Sequence, residues 1–133
     1  MGTDPADSPA MTREAMMAFA QGWIAAWNRR DVDAVLSHFA DDAIFISPVA
    51  HQYVGSSTLH GKAALADYWR TALERLSKLE FTLDHATWDP DARELLIVYQ
   101  ADLNGERRRA CELMIFDPAG RQIKGEAMYG APL

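Results

Sequence analysis

From Leu79 onward the apolar residues of this 133-residue chain fall at every second position, in runs separated by turn signals. Period two is the mark of strands with one buried face, because successive side chains point to opposite sides. The spacing predicts strands over Leu79–Trp88, Glu94–Leu103, Glu106–Phe116 and Gln122–Tyr129. Between them, Asp89-Pro90-Asp91 and Asp117-Pro118-Ala119-Gly120 suit type I turns, and Asn104-Gly105 is a strong hairpin signal. Hairpins in succession make an antiparallel meander.

Upstream the period is helical. Met16, Phe19, Ala20, Trp23, Ile24 and Trp27 lie on one stripe of a helix capped by Thr12. Asp31 is placed to cap a short second helix that turns Val32, Val35, Leu36 and Phe39 inward. Ala43 to Ile46 reads as a short strand that stops at Ser47-Pro48, since proline cannot donate to a ladder. Pro48 to His60 shows no periodicity and reads as a loop over the mouth of a site. Ala63 to Leu76 is a third amphipathic helix, with Leu65, Tyr68, Trp69, Ala72, Leu73 and Leu76 at helical spacing. Helices first and strands afterwards give an α+β layout, with a curved sheet wrapped around helices.

Composition closes off several classes of function. A net charge of −6 argues against a nucleic-acid or anionic-membrane surface. Arg107-Arg108-Arg109 is a local exception, but on a strand these side chains alternate between faces and make no patch. No apolar run approaches the ~18 residues of a membrane span. The single cysteine, Cys111, excludes an internal disulfide and fits a reducing, cytoplasmic compartment. Its alternation with Leu113 and Ile115 makes it a structural thiol. His38, His51, His60 and His85 show no metal-ligand spacing, and no phosphate cradle or nucleophile elbow occurs, so neither metal nor cofactor is expected. Residues 1–11 read as a disordered leader, with 12–133 as one domain.

The residue that stands out chemically is Glu112. It shares a strand face with Ala110, Met114 and Phe116, an apolar setting that raises a carboxyl pKa unless a cation or donor compensates. Such a group is a candidate acid or hydrogen-bond donor; the competing reading is a solvated or arginine-paired glutamate. Trp23, Trp27, Tyr68, Trp69, Tyr99 and Tyr129 fall on inward faces, where they suit either a pocket wall or an ordinary core.

Three stretches together, FAQGWIAAWNRRDVDAVLSHFADDAIFISPV, HGKAALADYWRTAL and ELMIFDPAGRQIKGEAMYG, resemble the nuclear transport factor 2-like superfamily. The likeness is greatest to its SnoaL-like and ketosteroid isomerase branch, and spans about residues 14–130. It implies three N-terminal helices packed in the concave face of a curved, mostly antiparallel sheet, a cone-shaped α+β barrel with a pocket. It also implies the positions of the isomerase machinery, and there this chain departs. Where the isomerases place a catalytic aspartate before proline, this chain has Ser47. Their oxyanion tyrosine matches Trp23, their supporting tyrosine matches Trp69, and their protonated oxyanion aspartate matches Glu112. A serine does not shuttle protons near neutral pH as a carboxylate does, so the resemblance does not carry ketosteroid isomerase activity with it.

The alignment turns Ser47, Tyr99, Met114 and Tyr129 toward the pocket as well. What it implies is a cavity with an acid at depth and indole and phenol groups around it. An enzyme acting on a small, partly apolar carbonyl compound and a non-catalytic binding domain are both compatible with that cavity. A third reading is a structural or assembly role through the outer sheet face, where Leu96, Val98, Cys111, Leu113, Ile115, Ile123 and Met128 predict a homodimer under every reading.

Overall fold

The computed structural model describes residues 11–133, so the leader expected over residues 1–11 lies outside the described residues except for Met11, which packs against the core. Helix α1 (Arg13–Asn28) begins as its sequence dictates: the Thr12 hydroxyl accepts from the Ala15 N–H at 3.1 Å, and Glu14 sits in the first turn. Its stripe buries Met16, Ala20, Trp23, Ile24, Ala26 and Trp27. Asp31 accepts from the Ala34 N–H at 3.0 Å and starts helix α2 (Val32–Leu36).

Phe39 departs from expectation. It opens strand β1 (Phe39–Ile46) instead of closing α2, because Gln122 N–H donates to the His38 carbonyl at 2.8 Å and Phe39 is drawn into register with Gln122. The segment after Ser47, expected as a loop, is another correction. Pro48–Val54 forms helix α3 and Thr58–His60 forms strand β2. The causes are local. Ser47 accepts from the Val49 N–H at 3.2 Å, Pro48 fits the first turn, and Gly55 ends the helix in the left-handed region at φ 78°. At 7 residues the helix is too short to show a period.

Helix α4 (Lys62–Glu74) buries Leu65, Tyr68 and Trp69. Strands β3 (Leu79–Asp89), β4 (Glu94–Leu103), β5 (Glu106–Phe116) and β6 (Gln122–Pro132) form the meander. The sheet order is β2-β1-β6-β5-β4-β3, antiparallel except for β1 against β6. The barrel expected from the resemblance is not closed, since β2 and β3 are free edges, and the described helices number four instead of three.

One contact ties the helical layer to the far edge of the sheet. At the end of α1, the Asn28 side chain accepts from the Phe81 N–H at 2.7 Å and donates to the Phe81 carbonyl at 2.9 Å. A single amide thus takes the place of a neighbouring strand and seats Trp23 and Trp27 over the sheet. Strand alternation then sorts the two faces: Leu95, Ile97, Tyr99 and Ala101 on β4, and Ala110, Glu112, Met114 and Phe116 on β5, all turn inward and are buried. Among the described residues no helix is long and apolar enough to cross a membrane, and no cluster of three or more His, Cys, Asp or Glu could hold a metal ion.

Candidate functional site

Register brings the site together. Tyr99 on β4 and Tyr129 on β6 both sit opposite Ala110 of β5, so the two tyrosines flank one small residue. The next inward row is Ile97, Glu112 and Ala127. Glu112 is therefore a diagonal neighbour of both phenols, with apolar residues directly on either side. Diagonal pairs in a sheet lie about 7–8 Å apart at Cα, within reach of long side chains.

Above this floor lies a cavity of about 100 Å³ walled by Trp23, Trp27, Tyr68, Trp69, Phe81 and Tyr99, among others, with Glu112, Tyr129 and Ser47 on its lining. The structure places together all but one of the residues picked out from the sequence. Met114 is the exception. It is fully buried one row further along β5, between Leu95 and Gly125, and packs into the core without reaching the cavity wall.

The wall is aromatic and rigid. Trp23 stacks on Phe81 at 5.8 Å and meets Tyr99 edge-on at 5.3 Å, while Trp27 and Trp69 meet edge-on at 5.2 Å. Trp69 also contacts Phe39 and Phe45, so the helices and β1 share one aromatic cluster. The indole N–H of Trp27 is buried with no partner among the described residues.

Glu112 is 4% exposed, and burial, with the nearby Glu126 charge adding to it, pushes its pKa up to about 8. At neutral pH it is a neutral carboxylic acid, an O–H donor facing a cavity. Burial likewise raises the Tyr99 and Tyr129 phenols, and proximity to a charged Glu112 raises them further. Tyr68 is raised by burial, partly offset by the Ser47 hydroxyl at 3.4 Å. Among the described residues the chamber thus presents several O–H donors and no cation.

Ser47 occupies the position of the isomerases' base, but its oxygen is engaged as the cap of α3 and as a neighbour of Tyr68. It holds the wall in place, and among the described residues it has no carboxylate or imidazole partner to activate it.

Sequence reasoning missed Tyr53, Val49, Phe45 and Phe81 on the cavity wall. For Phe45 and Phe81 the alternation of their strands was the available signal. Tyr53 and Val49, one helical turn apart on α3, were hidden by the reading of that segment as a loop.

The SnoaL-like domain matches residues 20–124. Among solved structures, the chain is similar to a SnoaL-like protein of unknown function from Burkholderia thailandensis, at 33% identity and TM-score 0.81, over 92% of this chain and all of that one. A protein of unknown function with a cystatin-like fold from Methylobium petroleophilum is 25% identical, with TM-score 0.73, over 94% of this chain and 82% of the other. A steroid delta-isomerase from Pseudomonas aeruginosa shares the fold at 24% identity and TM-score 0.67, over 89% of this chain and 79% of that one. From the domain match and the 33% identical relative, the chain belongs to the SnoaL-like family.

Proposed function

We propose that this protein binds a small, partly apolar molecule bearing a carbonyl or equivalent acceptor, which takes a hydrogen bond from neutral Glu112. The observation that carries this reading is a buried carboxyl, its pKa raised by that burial, on the wall of an aromatic cavity. Size narrows the class. A cavity of roughly 150 Å³ takes up benzene. At about 100 Å³ the chamber itself has the size of a single small ring.

A second reading, acid catalysis by the same carboxyl, is favoured by its pKa of about 8, since general acids work best with a pKa near the operating pH. Binding is the step both readings share. Cyclopentanone, titrated at pH 6.5 and followed by tryptophan fluorescence, is expected to bind and to weaken as pH rises through about 8. Glu112→Gln keeps a donor and retains binding. Glu112→Leu is expected to lose about tenfold in affinity, the usual cost of ~1–2 kcal/mol for an acceptor left without its partner. Absence of binding, or equal binding by Glu112→Leu, sinks the proposal.

The outer face supports a second part of the proposal, pairing of two copies. Leu96, Val98, Cys111, Leu113 and Ile115 are only half-buried there, and Ile123 and Met128 are 39% and 37% exposed. A dimer mass by light scattering is expected; a monomer at micromolar concentration removes this part and leaves the chamber untouched.

A further inference from the structure

The chamber opens outward. It shares Val49, Tyr53, Leu76, Leu103 and Tyr129 with the lining of a wider, adjoining vestibule of about 610 Å³. The vestibule's wall is more polar, and its composition follows from strand alternation on β5. Going outward from Glu112 on the same inward face, the chain presents Ala110, then Arg108, then Glu106. At about 3.3 Å per residue, Arg108 stands roughly 13 Å from Glu112 along the strand. Its side chain lines the vestibule, and among the described residues it has no carboxylate partner.

A second guanidinium lies beside the vestibule, against one of its lining residues. Arg75, just past α4, lies over the Tyr53 ring at 4.9 Å, and its carbonyl accepts from the vestibule residue Asn104 at 3.4 Å. It too has no carboxylate partner among the described residues. Arg108 on the vestibule wall and Arg75 against Tyr53 thus place two guanidinium groups near one hollow. Glu106 shares the vestibule but lies further out than Arg108, so an anionic group that stops at Arg108 need not pass it.

We propose that the chamber and vestibule form one elongated site for an oxo-carboxylate, with an apolar carbonyl head against Glu112 and a carboxylate tail held by Arg108 and Arg75. This rests on the carbonyl reading above and adds the charge and length of the ligand. The planar fork of arginine suits a carboxylate, and the flexible tail lies in the wider space while the ring fills the narrow one.

The test uses cyclopentanone bearing a carboxypropyl side chain, its methyl ester, and cyclopentanone itself, each titrated by tryptophan fluorescence at pH 6.5 and low salt. The carboxylate is expected to bind about two- to fivefold more tightly than the ester, a scale set by exposed ion pairs. In Arg75→Gln/Arg108→Gln the ratio is expected to fall to about one, with cyclopentanone affinity unchanged. Arg108→Gln alone, at an exposed position, serves if the double variant does not fold, and is expected to reduce the ratio in part. Equal or weaker binding of the carboxylate in the unaltered protein overturns this inference; if cyclopentanone still binds, the chamber reading survives it. Failure of cyclopentanone to bind overturns both.

Discussion

Between pH 5 and pH 8 the protein is expected to lose roughly 3–4 kcal/mol of folding stability through Glu112 alone, and Glu112→Gln to abolish that loss. The sign follows from a raised carboxyl pKa. In the unfolded chain Glu112 ionises near its ordinary 4.5, whereas in the fold it ionises near 8 because burial opposes the charge. The folded state therefore holds a proton that the unfolded state has released throughout that window. Stability is complete below about pH 4.5, declines as pH rises, and levels off above about 8. For a domain of this size the loss corresponds to a fall in Tm of about 10 °C or more.

One other resolved titration, that of His38, falls inside this window. His38 is lowered by burial, so its contribution fades on the acid side, as pH falls through about 6.5, in the opposite sense. Asp84 and Asp102 are lowered and act below the usual carboxylate range, while Cys111, Tyr99 and Tyr129 are raised and act above pH 9. Subtracting the Glu112→Gln curve of Tm against pH from that of the unaltered protein isolates the single carboxyl. Two parallel curves would mean that Glu112 is hydrated, and the donor role would go with its burial.

Trp69→Ala is the second large effect, with an expected cost of about 3–5 kcal/mol and a Tm lowered by about 10–20 °C. Trp69 is 5% exposed and meets Trp27, Phe39 and Phe45 edge-on at 5.2, 5.5 and 5.2 Å. Its ring joins α4 to α1 and β1, and the truncated side chain leaves a void joined to the chamber. Indole at millimolar concentration is expected to recover part of the lost Tm in Trp69→Ala and to leave the unaltered protein unmoved, since its chamber is too small for a second bicycle. A loss under 1 kcal/mol would show that the cluster closes over the gap and that the chamber wall is not rigid.

Much of the architecture could be read in advance because its signals are local. The change of period at Leu79, the Asn104-Gly105 turn and the Thr12 and Asp31 caps each depend on a few neighbouring residues, and each appears where expected. What escaped was set at long range or by brevity. Phe39 reads as helical by spacing but is captured by Gln122 across 83 positions of sequence. Helix α3 is held by one serine, one proline and one glycine, with too few turns to display a stripe. The inward aspect of Glu112 was legible from alternation, whereas the exclusion of Met114 from the cavity depends on how far along β5 the hollow extends, which alternation does not encode.

The Asn28–Phe81 clasp has a consequence for how the molecule behaves in company. β3 is a sheet margin of 11 residues, long enough to recruit a stray strand from another chain. A side-chain amide already occupies both hydrogen-bonding positions of its third residue, and an irregularity between Leu83 and His85 bends the ladder soon after. An incoming segment would find only two short stretches on which to nucleate. Asn28 therefore guards against intermolecular strand addition and fibril growth as well as seating the helix.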